Sequence, residues 1–421
     1  MKPSISVVIP TRNRAARVRA TILALAKQSA RAESYEVVVV ADGCTDDTSR
    51  ELRSLRLPFH LTVLEQQGSG RAAARNAGAA AAAAEIVLFL DDDMEADPGL
   101  IAAHLAAHRD APGGVVVGYF PLANPGSHAT IFERAVCGWW DEFFRGIAEP
   151  DHRFTYRDFC TGNVSLPRET FHAAGGFDRS VSKGAGEDWE LGLRLLERGV
   201  SFRFAPAAKA IHCDQPSRDG ALRRAREEGY GHAVLARRHR EFFNEFNLSR
   251  LSRLQWSTRL RWLWRLTWRW PAMVAGASLL LKPAHRAAEA MKLYNLMWRI
   301  HGVLSGCAYW RGVHAALGSL QAWEELRAQA LPGPADPHEI RIDLGEAPAA
   351  LVRLLDTARP DAVRITYRDQ PVGRIEARVG AEPLRWVHVR TALLRDFPWA
   401  LQWILVEQLA EKNFERAARA S

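Results

Sequence analysis

Three consecutive aspartates, Asp91, Asp92 and Asp93, close the apolar run "IVLFL". Adjacent carboxylates repel, and core packing alone would not place them there, so a cation or a ligand carrying one is expected. On an extended chain alternate residues face the same side, so Asp91 and Asp93 are expected to converge while Asp92 turns away. Hard Mg2+ or Mn2+ prefers such oxygens and also takes diphosphate oxygens. A second acidic group, Glu187 and Asp188 with Trp189 beside them, opens the helical stretch "GEDWELGLRLLERG". Acids in a first helical turn also suit the helix dipole, so a capping role stands beside a catalytic one. His212, in "AKAIHCDQP", is either a structural histidine or a metal ligand. Asp42 and Thr11 could hydrogen-bond a nucleotide base or ribose, or serve only as turn and cap residues. Arg71 and Arg75 lie one helical turn apart and share a face, with Asn76 beside them.

The elements that must position these residues alternate. Apolar strands at 5–10, 35–43, 61–66 and 86–90 are separated by helical patterns at 14–28 and 46–55 and by the Ala-rich "GRAAARNAGAAAAAAE". That order predicts an α/β fold with a mostly parallel sheet flanked by helices. Such sheets bind ligands at the carboxyl ends of their strands, where Thr11, Asp42 and the aspartate run all fall. Residues 1–110 are expected to form the first half of this α/β domain and 111–241 its second half. Residues 242–330 read as a Trp/Arg-rich helical segment. "LPGPADP" reads as a linker, and 338–421 as a small α/β accessory module.

At 421 residues the chain exceeds one ordinary core. Its net charge of +8 suits nucleic acid, an anionic membrane or phosphate-bearing substrates. Five cysteines without a CxxC pair point to a reducing cytosol. The N-terminal apolar run is too short for a signal peptide, and "PAMVAGASLLL" is too short to span a bilayer.

The ordered set "VVIPTRNR", "VVVVADGCTDDT", "GRAAARNAG", "LFLDDD", "TGNVSL", "GGFD" and "GEDWELGLRL" resembles the inverting family 2 glycosyltransferases of the GT-A fold, over residues 4–235. The resemblance implies a Rossmann-like GT-A sheet and a nucleotide-sugar donor. It implies donor contacts at Pro10, Thr11, Arg12, Asp42, Arg71, Asp91 and Asp92. Asp91 would meet the ribose or the metal, Asp93 would hold Mg2+ or Mn2+, and His212 would join as a ligand. Asp188 would be the general base that takes the proton from the acceptor hydroxyl, with Glu187 in support; burial near other acids would raise its pKa suitably. Trp189, Gly162 and Asn163 would line the acceptor side, and Asn76 would help hold the Asp91 loop. Residues 215–226 carry clustered arginines and read either as a lid over the diphosphate or as a basic surface helix.

In "WSTRLRWLWRLTWRW", at 256–270, Trp256, Leu260, Leu263, Leu266 and Trp270 share one helical face. Arg261, Arg265 and Arg269 take the other, and Trp262 and Trp268 the borders. That pattern fits a helix lying in a membrane interface, a helix packed on the catalytic domain, or a dimer contact. The leading expectation is a metal-dependent inverting glycosyltransferase with a glycan or lipid-linked acceptor. It would be cytoplasmic and peripheral on the inner face of the plasma membrane, in contact with anionic lipid and not nucleic acid. The alternatives are a nucleotidyltransferase, which should carry a Gly-rich phosphate loop after the first strand, and a membrane-associated scaffold with an inactive transferase domain.

Overall fold

A computed structural model describes the chain except residues 1, 128, 182–184, 215, 251–260, 335, 405, 408 and 411–421. The chain divides into two compact units: 1–147 with 156–332, and 148–155 with 333–421.

The first unit is built on an eight-stranded sheet of order β3-β2-β1-β4-β7-β6-β8-β5. β1 (Ile5–Thr11), β2 (Tyr35–Asp42), β3 (His60–Gln66) and β4 (Ile86–Leu90) pair in parallel, which is the half the sequence pattern anticipates. Helices cover both faces of this half, so Val37, Val38, Val39 and Val40 are all buried; each such side chain contributes about 1.5–3 kcal/mol. The parallel pattern stops at β4. β7 (Asn163–Pro167) runs antiparallel to both β4 and β6 (Val115–Tyr119). β8 (Phe202–His212) is parallel to β6, and the short β5 (Met94–Ala96) pairs antiparallel with β8.

Among the described residues, seven α-helices lie between β1 and β8. α1 (Ala15–Leu25) follows β1, and α2 (Thr48–Arg53), shorter than its sequence pattern, follows β2. α3 (Arg71–Ala81) lies so close to the sheet that a Cβ at Gly78 would stand 2.3 Å from Val8 Cγ1. This is why the segment is Ala-rich: larger residues would hold it off the strands. α4 (Leu100–Asp110) follows β5; α5 (Ile131–Ala148), α6 (Arg168–Ala173) and α7 (Glu187–Glu197) come later, α7 carrying the acidic pair.

α8 (Arg218–Arg238), α9 (Phe242–Glu245), α10 (Arg261–Arg269), α11 (Pro271–Ala290), α12 (Tyr294–Leu317) and α13 (Leu320–Ala328) complete the unit. α8 and α12 meet backbone to backbone: a Cβ at Gly312 would sit 1.9 Å from the Arg226 carbonyl oxygen. Trp268, assigned from sequence to the border of a membrane-facing helix, is instead buried, 5.8 Å from Trp310 and 6.3 Å from Trp323 between ring centres. α10 is therefore anchored to protein at that position. Trp256 and Leu260 lie outside the described residues.

The second unit has a three-stranded sheet of β9 (Glu339–Asp343), β10 (Ala362–Tyr367) and β11 (Gln370–Ile375), with α14 (Pro348–Ala358) and α15 (Trp386–Arg395). Residues 148–155 belong to it, which no local pattern announces. The buried Arg153 donates to the Glu382 and Asp361 carbonyls, and Thr155 bridges to Ala381.

Candidate active site

β4 delivers Asp91 at its carboxyl end, where the Asp91 N–H bonds the Gly162 carbonyl at 3.3 Å. The chain then turns, and Asp92 and Asp93 lie in that turn and not on extended backbone. Each of the three aspartates consequently finds a different partner.

Asp91 accepts from Arg75 Nη2 at 2.9 Å. Arg75 is 3% exposed and uses Nη1 to reach Glu187 Oε1 at 3.0 Å. One guanidinium thus ties the end of β4 to the start of α7. Arg71, at the first position of α3, adds a 3.5 Å approach to Glu187 and a 3.6 Å approach to Glu227 of α8. Both helices enter through a glycine in the left-handed region, Gly70 at φ +90° and Gly186 at φ +111°, which L side chains rarely adopt. Burial opposes ionisation of Glu187, but Arg71 and Arg75 outweigh it and hold its pKa below the ordinary value. Asp188 is half-buried and accepts from the Trp189 N–H at 2.9 Å, and Arg75 and Arg71 favour its charged form too weakly to hold it down. Burial first, and then the Glu187 charge, push it up to about 7. This environment makes a carboxyl able to take up and release a proton near neutral pH.

Asp93 points the other way. β5 pairs with β8 so that Met94 stands opposite His212, and the Cys213 N–H bonds the Asp93 carbonyl at 2.8 Å. That ladder brings Asp93 Oδ1 to 3.2 Å from His212 Nε2. Asp93, His212 and Asp214 each offer a ligand atom, all within 4.8 Å of one another. Asp93 Oδ1 and His212 Nδ1 are buried without a hydrogen bond of good geometry, and oxygen and imidazole donors suit a small divalent cation. The residues therefore fit a metal. Arg14 Nη1 lies 3.0 Å from Asp93 Oδ2, with Arg17 at 3.7 Å. Burial alone would raise the Asp93 pKa; His212 and Arg14 outweigh it and keep the group ionised.

Residues 6–180 match the family described as Glycosyl transferase family 2. They are a family 2 glycosyltransferase domain.

The validoxylamine A glucosyltransferase of Streptomyces hygroscopicus subsp. jinggangensis is 39% identical over 223 residues, covering 47% of this chain and 52% of that protein. The chondroitin synthase of Escherichia coli is 26% identical over 249 residues, covering 52% of this chain and 36% of that one. The chain thus spans about half the length, or less, of these curated relatives. Among solved structures, the mannosyltransferase PcManGT from Pyrobaculum calidifontis, in complex with GDP-Man and Mn2+, is 18% identical. It covers 74% of this chain and 88% of that chain, at a TM-score of 0.49.

Several positions of the glycosyltransferase domain differ from the sequence reading. Asp92, expected among the donor contacts, is buried. It accepts from Thr11 Oγ1 at 2.7 Å and Arg14 Nη1 at 2.8 Å, while its carbonyl accepts from Thr21. The Thr11 hydroxyl is thereby spent on protein. Asp42 is 5% exposed and accepts from the Ser69 and Gly70 N–H groups and the Gln66 amide, so it shapes the entry to α3. Arg12 is exposed, with its guanidinium beside Gly68, and Pro10 is partly buried at the strand end.

The alternation argument for Asp91 and Asp93 fails because the turn breaks the strand. Asp91 is not in the three-residue cation cluster, whereas Asp214 is. Asn163, expected to touch the acceptor, is 0% exposed. Its amide is spent on His104, at 2.8 Å, and on the Ala208 carbonyl, at 2.9 Å. Gly162 is buried as well, and a Cβ there would stand 2.8 Å from the Phe120 ring. Trp189 is half-buried, stacked 5.5 Å from His232, with Arg157 over its ring. Asn76 holds the backbone of Phe177 and not the Asp91 loop.

The sequence reading left out Asp214, Arg14 and the central role of Arg75. Asp214 had a signal: it stands two residues after His212 at a strand end, where alternation favours one side. Arg75 had only its spacing from Arg71, and spacing says nothing of burial.

Proposed function

We propose that this chain transfers a sugar from a nucleotide-sugar donor to an acceptor hydroxyl, with inversion at the anomeric carbon. The observation that carries this reading is Asp188. It is a carboxyl poised near neutral pH, one residue from Glu187, which Arg75 ties to the strand end bearing the cation cluster. Asp188 removes the acceptor proton as the acceptor oxygen bonds to the anomeric carbon. The bond from that carbon to the diphosphate breaks, and the nucleoside diphosphate leaves with the electron pair. Glu187 stays ionised between Arg71 and Arg75, so its charge keeps Asp188 basic enough for the task. Arg12, Arg14, Arg17 and Arg71 provide positive potential near the strand ends for the donor phosphates. Asp93, His212 and Asp214 would hold Mg2+ or Mn2+, which supplies charge neutralisation for the departing diphosphate.

The acceptor in this proposal is a glycan or a lipid-linked glycan, met at an anionic membrane surface on the cytoplasmic side. Support comes from the family assignment and from the basic helices after α9. The test is release of nucleotide and transfer of sugar from UDP-, GDP- and dTDP-sugars, with and without Mn2+. Turnover of at least one donor that Asp188→Asn abolishes is expected. Absence of both binding and turnover across the panel would refute the reading.

A further inference from the structure

More than half of the large exposed apolar side chains among the described residues fall between Trp270 and Val303. Along α11, Met273, Ala277, Leu280, Ala284 and Ala287, followed by Met291, recur at spacings of three and four. They share one face, about 27 Å long at the helical rise. Leu280 is 81% and Leu279 67% exposed, and Leu293 and Leu296 extend the exposed surface past the end of the helix. An apolar stripe of this length is not neutral for a protein in water, and it marks a contact.

Charge decides what the stripe fits. Between residues 246 and 323 the chain carries eleven lysines and arginines and a single acid, Glu289. That acid is engaged by Arg218. Arg265 and Arg269 are exposed before the stripe, Arg286 on its flank, and Lys292 and Arg299 after it. A second copy meeting this face isologously would set these cations against their own kind. A bilayer with anionic headgroups accepts both the apolar side chains and the cations. No described helix is long and apolar enough to cross a membrane, so the geometry is that of a helix lying along the surface.

We propose that the exposed face of α11, with the turn at residues 291–293, is the surface that docks this chain on anionic lipid. The inference rests on the reading above that the chain works at a membrane, and it moves the contact away from α10, whose Trp268 is buried in protein. It also links docking to chemistry. α12 runs from this turn and packs closely on α8, and α8 carries Glu227 beside Arg71 of the active site.

Sedimentation with phosphatidylglycerol/phosphatidylcholine vesicles, and with phosphatidylcholine alone, tests this. The full chain should bind only the anionic vesicles, and more weakly at high salt. Met273→Glu and Leu280→Glu, both at exposed positions, should each lower binding about tenfold or more, while donor hydrolysis and thermal unfolding stay as in the parent. If the parent binds and both variants bind equally well, the assignment of this face is overturned while the membrane reading stands. If the parent ignores all vesicles, the membrane reading itself fails. If the parent instead sediments as a dimer that Leu280→Glu dissociates, the face is a contact between copies and the proposal is overturned.

Discussion

Asp188 ties stability to function in a way that can be measured without any substrate. Its carboxyl is moved from an ordinary 3.8 up to about 7, by burial first and by Glu187 second. Below the ordinary value both folded and unfolded chains hold the proton, and the group contributes nothing. Between 3.8 and about 7 the unfolded chain releases the proton and the folded chain keeps it, so stability falls as pH rises. Above about 7 the cost is constant. At about 1.4 kcal/mol for each tenfold change in proton affinity, the full displacement is worth ~4 kcal/mol. Solvent reaches this half-buried group, which lowers the figure to about 2 kcal/mol. Asparagine has the same shape and no charge, so Asp188→Asn avoids the cost. The variant should match the parent near pH 4 and exceed it by about 2 kcal/mol near pH 8, read from urea midpoints at the two pH values. The same variant should lose about two or more decades of turnover, and parent turnover should climb with pH and level off near 7. A stability difference that does not change with pH would refute the electrostatic account, and near-normal turnover would refute the catalytic one.

Replacing Arg75 by Met leaves the buried Glu187 with Arg71 alone and takes Arg75 from Asp91; a loss of about 3–5 kcal/mol by thermal unfolding is expected, partly restored by Lys. A loss below about 1 kcal/mol would mean that the pairing is not structural. Asp93→Ala and Asp214→Ala should each weaken Mn2+ binding in the presence of nucleoside diphosphate, as titrated by calorimetry. Asp92→Ala should leave Mn2+ affinity in place and cost about 1–3 kcal/mol of stability, because Thr11 and Arg14 lose a buried acceptor; a reversed order would undo the cluster assignment. Asn163→Ala should destabilise by about 2 kcal/mol or more, since His104 and the Ala208 carbonyl lose a buried partner. The acceptor KM of the folded enzyme should not move, and a raised KM at normal stability would return Asn163 to the acceptor site.

A parallel strand buried on both faces must be continuously apolar, so a polar residue at its carboxyl end stands out. The strand-end placement of Asp42 and Asp91 was legible in the sequence for that reason, and so was the parallel half of the sheet; what each binds was not. For Asp188 the spacing alone leaves a capping role beside a catalytic one, and only the resemblance of "GEDWELGLRL" to a known family singles it out. Local pattern could go no further, because the decisive partners are remote in the chain. Asp93 meets His212 only through the ladder between β5 and β8, and Arg75 joins Asp91 to Glu187 only because α3 lies against the sheet. Asp92 turns to Thr11 and Arg14 because a turn, not a strand, follows Leu90. Asn163 and Trp268 carry polar and amphipathic side chains that suit a surface equally well. Whether such a side chain meets a ligand, a bilayer or the protein interior depends on which neighbours close over it, and that is settled by packing between elements and not by the spacing within one.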